Sequence, residues 1–347
     1  MHEADPRMTE PIPRATGGMT RLAFARAKDA GVEPEPMLKK AGLGRSLIED
    51  ADARLGVRSQ ITFLNLVAEA LPDEFLGFHL ALATDLRAMG MLYYVAASSD
   101  SLGDALRRAA RYGKVVNEGV TMGYTEGDDV AIRFDYVGVP RHLDRHQIEA
   151  LVTLLVRLCR HLVGQRVRPV RVAFTHRRSG DTTEFDAFLG CDAEFGADVD
   201  ELVFAAATKS MPVSGADPYL NKLLVAQFDE ALLHRQPVRG AFRASVENAI
   251  APLLPHGQAR AGEVSRRLGI SQRTFERRLA AEGMTFSGVV QNLRSTLAQR
   301  HLNDPGLSIS QIAWLLGYQE VSAFTHAFKR WTGTTPRAVR ARQKHAA

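Results

Sequence analysis

Apolar positions in the first two thirds of the chain recur mainly at helical spacing. Apolar residues between Ile61 and Leu71 return every three or four positions, which predicts an amphipathic helix. Asp100-Ser101 precede apolar positions that repeat through Ala109, so the sequence predicts a capped helix ending near Gly113. The same spacing predicts further helices over 75–90, 141–162 and 217–233.

A smaller set of segments alternates in the way that strands do. Residues 119–124 and 130–136 favour strands, and the turn-forming run 125–129 between them predicts a hairpin. Val115 also belongs to this β-favouring region. Further short strands are predicted over 170–175 and 201–204. Residues 20–210 therefore form a mixed α and β region in which the sheet is small.

The C-terminal third lacks strand signals and contains one pattern twice. In residues 261–283, one helix ends at Gly269 and a second begins after Ser271. In residues 308–333, Ser308 and Gln311 fit a capping box, the first helix ends at Gly317, and another helix follows. Each stretch has the helix, glycine turn, helix plan of a helix-turn-helix motif.

Residues 286–302 separate the two motifs and are long enough to form one connecting helix, which Asp304-Pro305 ends. A stiff connection would hold two recognition helices on one face. Successive major-groove openings lie about 34 Å apart, so such a pair could enter two of them without a second subunit.

Composition and charge divide the chain at the same place. Hydrophobic residues make up 45% and charged residues 24%, as in ordinary globular proteins. Residues 236–347 contain 16 basic and 6 acidic residues, whereas the remainder is acidic overall. The predicted domains are a flexible tail at 1–19, a folded domain at 20–233, a linker at 234–244 and a basic domain at 245–347. A basic domain favours an anionic polymer as partner.

The outward positions of the second helix in each motif carry side chains that can bond base edges. These candidate base-reading residues are Gln272, Arg273, Glu276, Arg277, Ser322, Thr325 and His326. Other cationic side chains and two helix N-termini could bond phosphates. These candidate phosphate-binding residues are Arg266, Ser271, Arg278, Arg294, Ser308, Lys329, Arg330 and Arg337.

The C-terminal region resembles the DNA-binding domain of AraC/XylS-type bacterial transcription regulators over about 85 residues. The most specific stretches are Ile312-Ala313, Leu316-Gly317-Tyr318, Ser322-Ala323-Phe324 and Ala327-Phe328-Lys329-Arg330, followed by Gly333-Thr334-Thr335-Pro336. The resemblance implies a module whose two motifs read adjacent major-groove segments of double-stranded DNA. His326 stands where many members have arginine, so base preference there departs from the family pattern.

The N-terminal region resembles the effector-binding and dimerisation domain of one AraC-family branch, through stretches such as 92–106, 169–176 and 212–220. This implies an α+β sensor domain with a small sheet, followed by an all-α domain with two helix-turn-helix motifs. It also implies a small-molecule effector and a homodimer, with RNA polymerase as a partner if the protein is an activator. Candidate pocket residues are Tyr93, Tyr112, Phe134, Arg171, Thr175 and His176. An apolar wall with Arg171 as anchor would suit a small organic acid or a fatty acid.

The sequence also bears on three other classes of function. His142 and His146 have the spacing of zinc ligands on a helix, but Leu143 replaces the glutamate of a metalloprotease motif, so no metal site is expected. Cys159 lies on an apolar helix face, and neither it nor Cys191 has a cysteine neighbour, which disfavours an enzyme fused to a DNA-binding tail. A DNA-binding regulator without an effector also stays open. The sequence predicts no cofactor, no membrane segment and a cytoplasmic location.

Overall fold

The computed structural model describes residues 13–178, 180–233 and 242–344. The chain divides into two compact units, the first built mainly from residues up to 233 and the second from residues after 242. No helix among the described residues is both long enough and apolar enough to cross a bilayer.

The first unit contains ten helices and seven strands among its described residues. Its helices are α1 (Gly18–Asp29), α2 (Glu35–Lys40), α3 (Ser46–Glu49), α4 (Val57–Ala70), α5 (Leu76–Ala83), α6 (Met91–Ala97), α7 (Leu102–Val116), α8 (His146–Val163), α9 (Thr183–Leu189) and α10 (Pro218–Leu233). Its strands are β1 (Arg14–Ala15), β2 (Leu55–Gly56), β3 (Val120–Glu126), β4 (Asp129–Tyr136), β5 (Arg171–Phe174), β6 (Ala193–Phe195) and β7 (Asp200–Ala205).

Five strands form a sheet in the order β3-β4-β7-β5-β6, in which only β5 and β6 are parallel. The hairpin is confirmed, with Val120 opposite Tyr136 and Glu126 opposite Val130. Alternate β4 residues from Val130 to Tyr136 are buried, because one face of the sheet packs on helices. The helices α5, α7 and α8 supply most of the opposing side of that core.

The second unit is helical throughout its described residues. It contains α11 (Phe242–Ile250), α12 (Ala261–Arg267), α13 (Gln272–Ala281), α14 (Phe286–Leu302), α15 (Ile309–Leu315), α16 (Val321–Thr332) and α17 (Pro336–Lys344). One core forms around Val264, Phe275 and Leu293, and another around Ile312 and Phe324. The helix α14 contributes to both cores, so it joins the two motifs as a packed element, as the sequence predicts.

Three predicted boundaries are wrong because long-range contacts decide them. The predicted flexible tail 1–19 is wrong in its last part: Arg14–Ala15 pairs with Leu55–Gly56, and α1 begins at Gly18. Val115 lies in α7, where packing against a small apolar cluster overrides its strand propensity. The predicted linker 234–244 ends earlier, because α11 begins at Phe242. Residues 1–12, 234–241 and 345–347 lie outside the described part of the chain.

Aspartates interrupt two predicted helices. The helix predicted over 75–90 ends at Ala83, and the Asp85 carboxylate accepts from the Arg87 backbone N–H to begin a short 3₁₀ turn. The helix predicted over 141–162 begins only at His146, because the Asp144 carboxylate accepts from the N–H groups of Gln147 and Ile148. Such local bonds compete with a continuous helix.

Candidate DNA-binding surface

The first motif consists of α12 and α13, and local sequence signals define its turn. Gly269 adopts a φ of 66°, a conformation that glycine accepts without strain. Ser271 then caps α13, and its hydroxyl accepts from the Thr274 N–H at 3.2 Å. Phe275 and Leu279 are buried on one side of α13. The turn and the buried side together fix which face of α13 is presented to solvent.

The exposed face of α13 carries all four base-reading candidates of the first motif. Gln272, Arg273, Glu276 and Arg277 are exposed. The Gln272 Nε2 donates to Glu276 Oε1 at 2.9 Å, so these two side chains form a pair on the helix surface. Arg273 and Arg277 are four residues apart and therefore lie on one side of the helix. This face offers two guanidinium groups beside one amide–carboxylate pair.

The second motif consists of α15 and α16 and has the same construction. Ser308 and Gln311 form the predicted capping box. Gly317 adopts a φ of 76°, and a Cβ atom there would collide with the Leu254 carbonyl oxygen. Phe324 and Phe328 are buried on one side of α16. Glycine is therefore required at this turn for both conformation and space.

The exposed face of α16 is poorer in long polar side chains than that of α13. Ser322 and His326 are exposed. Thr325 is half-buried, and its hydroxyl donates to the Val321 carbonyl oxygen at 2.9 Å. His326 is therefore the largest of the three predicted base-reading side chains that this helix presents.

The predicted phosphate-binding residues divide into exposed cations, helix caps and one structural residue. Arg266, Arg278, Lys329, Arg330 and Arg337 are exposed. The Arg266 guanidinium forms an ion pair with Glu263, and the Arg278 guanidinium lies 5.5 Å from the centre of the Phe242 ring. The hydroxyls of Ser271 and Ser308 are engaged in their helix caps.

Arg294 is placed differently from its predicted phosphate role. Its Nε donates to the Leu316 carbonyl oxygen at 2.8 Å, and its guanidinium lies 4.8 Å from the centre of the Tyr318 ring. These contacts join α14 to the turn of the second motif. The guanidinium therefore satisfies a helix-terminal carbonyl, which explains an arginine at this position without a nucleic acid.

The structure does not bring the six predicted effector residues together. Tyr93, Tyr112 and Phe134 are buried in packed clusters of the first unit. The predicted anchor Arg171 is exposed, and its guanidinium pairs with Glu194 and Glu201 on the neighbouring strands β6 and β7. Arg171 therefore does not join the buried tyrosines in one pocket, because its guanidinium is exposed and lies between Glu194 and Glu201.

Thr175 and His176 instead belong to a buried ionic network that sequence reasoning missed. The Arg141 guanidinium donates to both carboxylate oxygens of Asp200, at 2.5 and 2.7 Å. It also donates to His176 Nδ1 at 3.0 Å, and His176 Nε2 lies 2.8 Å from a Glu149 oxygen. Because arginine only donates, Nδ1 accepts and the ring proton on Nε2 points to Glu149. The Thr175 N–H completes the set with a bond to Asp200.

The network fixes the charge of its two central members. Burial raises the pKa of the Asp200 carboxyl, but the adjacent Arg141 guanidinium outweighs this and holds that pKa below its usual range. Burial alone would lower the pKa of the Arg141 guanidinium. The negative charge of Asp200 has the larger effect, so the pKa of Arg141 lies above its ordinary value. Arg141 and Asp200 are 59 residues apart, so no local sequence signal indicates their pairing.

An open cleft of about 490 Å³ lies elsewhere in the first unit. It is lined by Arg26, Ala30, Leu71, Pro72, Asp73, Glu74, Phe75 and His79. None of the six predicted effector residues lines it. The His79 Nδ1 lies 2.9 Å from each Asp73 carboxylate oxygen, so the imidazole is held at the edge of the cleft.

Neither cysteine forms a disulfide. Cys159 is buried, as predicted, and burial raises the pKa of its thiol to about 12. Cys191 is half-buried, and burial together with Asp186 and Asp192 raises its pKa. Both sulfurs therefore stay as thiols at neutral pH, the weakly nucleophilic form. Among the described residues no cluster of three or more histidine, cysteine, aspartate or glutamate side chains has metal-binding geometry.

Comparison with known proteins identifies both parts of the chain. A family model described as the arabinose-binding domain of AraC transcription regulator, N-terminal, matches residues 31–213, more than half of the chain. A model described as a helix-turn-helix domain matches residues 264–342. The second match covers both motifs, from α12 to α17.

Two transcription regulators are similar to this chain over nearly their whole length. The regulator VirS of Mycobacterium tuberculosis is 28% identical over 319 residues, which cover 90% of this chain and 92% of VirS. The ornithine utilization regulator of Pseudomonas aeruginosa is 26% identical over 338 residues, covering 95% of this chain and 98% of that protein. The crystal structure of the regulator CdpR from P. aeruginosa aligns over 93% of this chain and 97% of CdpR, with 20% identity and a TM-score of 0.44. The chain belongs to the AraC family of transcription regulators.

Proposed function

We propose that α13 and α16 enter two successive major-groove segments of one DNA site and that α13 supplies most of the base discrimination. The observation that carries this proposal is the pair of exposed recognition faces joined through α14 in one helical unit. Arg273 and Arg277 bond guanines, and Glu276 accepts from a cytosine amino group. Ser322, Thr325 and His326 contribute weaker contacts from α16.

The exposed cations hold the protein to the DNA backbone. Lys329 and Arg330 lie in the last part of α16 and Arg337 lies in α17, while Arg266 and Arg278 lie in α12 and α13 of the first motif. Each of these contacts releases counterions, so affinity falls steeply as salt rises. Such contacts set register and carry no direct sequence information.

The first unit senses a small molecule and pairs two copies of the chain in the cytoplasm. The family description of residues 31–213 as an arabinose-binding domain supports a small-molecule role for this unit. A ligand that binds one dimer arrangement more tightly shifts the population toward it and changes the spacing of the DNA-binding units. The regulated step is transcription activation through RNA polymerase.

Binding-site selection with the full chain tests the DNA proposal. A random duplex pool should yield one enriched site, and fluorescence anisotropy on that site should give a log–log salt slope near −5 if about six phosphates are engaged. Arg273→Ala should cost about 1–3 kcal/mol and relax one base position, whereas Lys329→Ala should weaken all sequences alike. Arg58→Ala, which removes an exposed cation from α4, is the matched control and should change neither quantity. Failure to enrich any sequence would overturn the proposal.

A thermal-shift screen tests the sensor proposal. A metabolite that binds only the folded first unit raises its apparent stability by mass action. Any stabilising compound should then change the anisotropy titration on the selected site. If a stabilising compound leaves DNA binding and transcription from that site unchanged, the sensor role is wrong.

A further inference from the structure

The second motif exposes an apolar side chain at the start of its recognition helix. In the described part of the second unit, the large apolar side chains that are strongly exposed are Trp314 and Val321. Trp314 lies in α15, whereas Val321 is the first residue of α16 and is 40% exposed. Single exposed apolar residues are common, so exposure alone gives Val321 no function. Its position is informative, because the N-terminal residues of a recognition helix are the ones that reach base edges.

Val321 lies at one edge of the exposed face of α16, next to Thr325. Each residue turns an α-helix by about 100°, so residues four apart are offset by about 40° and are neighbours on its surface. Ser322 and His326 form a second pair of neighbours, about 100° further round the helix. The first pair therefore forms an edge of the exposed face, and the second pair lies toward its middle.

The hydroxyl of Thr325 is engaged inside α16. It donates to the Val321 carbonyl oxygen at 2.9 Å, which is a bond to the backbone four residues earlier. That hydroxyl hydrogen is therefore not available to a base edge, and the γ-methyl group is what Thr325 adds to the neighbouring valine. The edge formed by Val321 and Thr325 thus offers methyl groups to a partner.

One of the four bases carries an apolar group into the major groove. Thymine presents its 5-methyl group there, and apolar side chains recognise thymine by contacting that group. Burial of one methyl group is worth about three- to fivefold in affinity. The first motif is built differently, because its base-reading candidates Gln272, Arg273, Glu276 and Arg277 are all polar. An apolar edge on α16 is therefore suited to a base that α13 has no comparable means of reading.

We propose that Val321, together with the γ-methyl group of Thr325, contacts the 5-methyl group of a thymine in the major-groove segment that α16 enters. Val321 is then a specificity-determining residue of the second motif, in addition to the polar candidates. The contact favours thymine over cytosine, which lacks this methyl group. It also accounts for a recognition face with few long polar side chains. This inference rests on the proposed entry of α16 into the major groove.

Replacement of thymine by deoxyuridine tests the contact, because it removes the methyl group and keeps the hydrogen-bonding edge of the base. Each thymine of the selected site is replaced in turn, and fluorescence anisotropy with the full chain gives the dissociation constant. At one thymine, outside the position that Arg273→Ala relaxes, the replacement should raise the dissociation constant of wild type about three- to fivefold. A selected site in which no thymine behaves in this way would overturn the proposal.

The variant Val321→Ala assigns this loss to one side chain. It should bind the thymine duplex about three- to fivefold more weakly than wild type and should bind the thymine and deoxyuridine duplexes almost equally. Both duplexes are titrated with the same protein preparation, so any misfolded fraction cancels in the ratio of the two dissociation constants. A ratio in Val321→Ala that equals the wild-type ratio refutes the assignment.

Two further variants sharpen the comparison. Thr325→Ser keeps the hydroxyl and removes only the γ-methyl group, so the ratio should fall part of the way toward one. Val170→Ala is the matched control, because it makes the same truncation at a valine of the first unit that is 52% exposed. This control should keep the wild-type ratio, and a reduced ratio in Val170→Ala would contradict the role of Val321.

The same titrations separate this inference from the proposed function. If the wild-type chain selects no DNA site, the proposed function fails. If it selects a site and Arg273→Ala relaxes one base position, but every deoxyuridine replacement is neutral, only the thymine contact fails. Val321→Ala that binds both duplexes like wild type and lowers transcription from the site would indicate a protein contact at Val321, which also overturns the thymine contact.

Discussion

The two units use charged side chains in opposite ways. In the first unit Arg141, Glu149, His176 and Asp200 are buried and bond one another across β7, α8 and the end of β5. In the second unit the charged groups of α13 and α16 are exposed and leave the buried positions to Phe275, Phe324 and other apolar residues. Charge that is buried and mutually bonded organises a fold, whereas charge presented on a fixed helix face is available to a partner.

Arg171 shows that the exposure of a charged side chain has to be considered together with its ion-pair partners. Sequence reasoning assigned it to a ligand because a lone cation on a strand suggested an anchor. The structure gives it two carboxylate neighbours on adjacent strands, so its charge is compensated within the sheet. Arg273 and Arg277 stand on the exposed face of α13, beside a carboxylate that Gln272 engages.

The largest expected effect comes from breaking the buried network. Arg141→Met should lower the free energy of unfolding by about 3–5 kcal/mol, because Asp200 is then left as an uncompensated buried charge. Chemical denaturation followed by circular dichroism measures this. Arg133→Met, which removes an exposed arginine from the neighbouring strand β4, should change stability by less than about 0.5 kcal/mol. Equal effects of the two variants would remove the distinction between buried and exposed charge.

A smaller loss should come from titrating Asp200 with Arg141 still in place. Because the folded-state pKa of Asp200 is below the unfolded value of about 3.9, its contribution to stability is present above that pH. It is lost as the pH falls through the folded-state pKa. Unfolding measured between about pH 5 and pH 2 should therefore be less steeply pH-dependent in Asp200→Asn than in wild type. Parallel pH profiles of the unfolding free energy in wild type and Asp200→Asn would contradict the pairing of Asp200 with Arg141.

Substitution of the candidate DNA-contacting residues should have the reverse effect. It should weaken DNA binding and leave the free energy of unfolding unchanged. Arg277→Ala should weaken binding to the selected site by about 1–3 kcal/mol and leave the unfolding free energy within about 0.5 kcal/mol of wild type. His326→Ala should cost less than Arg277→Ala, because α16 presents a single long polar base-reading candidate. Anisotropy and denaturation on the same preparations measure both quantities. A larger effect at His326 would reverse the proposed order of the two helices.

Arg171→Ala should have the smallest effect of the set. Its ion pairs are solvent-exposed, so their loss should cost less than about 1 kcal/mol of stability. DNA affinity and any effector response should stay at wild-type levels. A response to effector that disappears in this variant would restore Arg171 as the ligand anchor and contradict its structural assignment.

The sequence predicts best where local chemistry decides the structure. Ser271 and Ser308 were correctly predicted as helix caps, because the cap and its partner lie within three residues. The sequence did not predict the pairing of β1 with β2, the strand β6 or the Arg141–Asp200 ion pair. Each of these depends on residues brought together from distant parts of the chain. The outward placement of the base-reading candidates on α13 followed from helix periodicity. The position of a pocket could not be predicted in this way, since a pocket depends on packing between layers.

Interference footprinting tests most directly whether two motifs in one chain enter two major-groove segments. Methylation of guanine N7, which lies in the major groove, should block the full chain at two clusters on one face of the selected duplex, about one helical turn apart. Arg277→Ala should remove interference at one cluster and retain the other. A single cluster of interference for the wild-type chain, or simultaneous loss of both clusters in Arg277→Ala, would contradict the account.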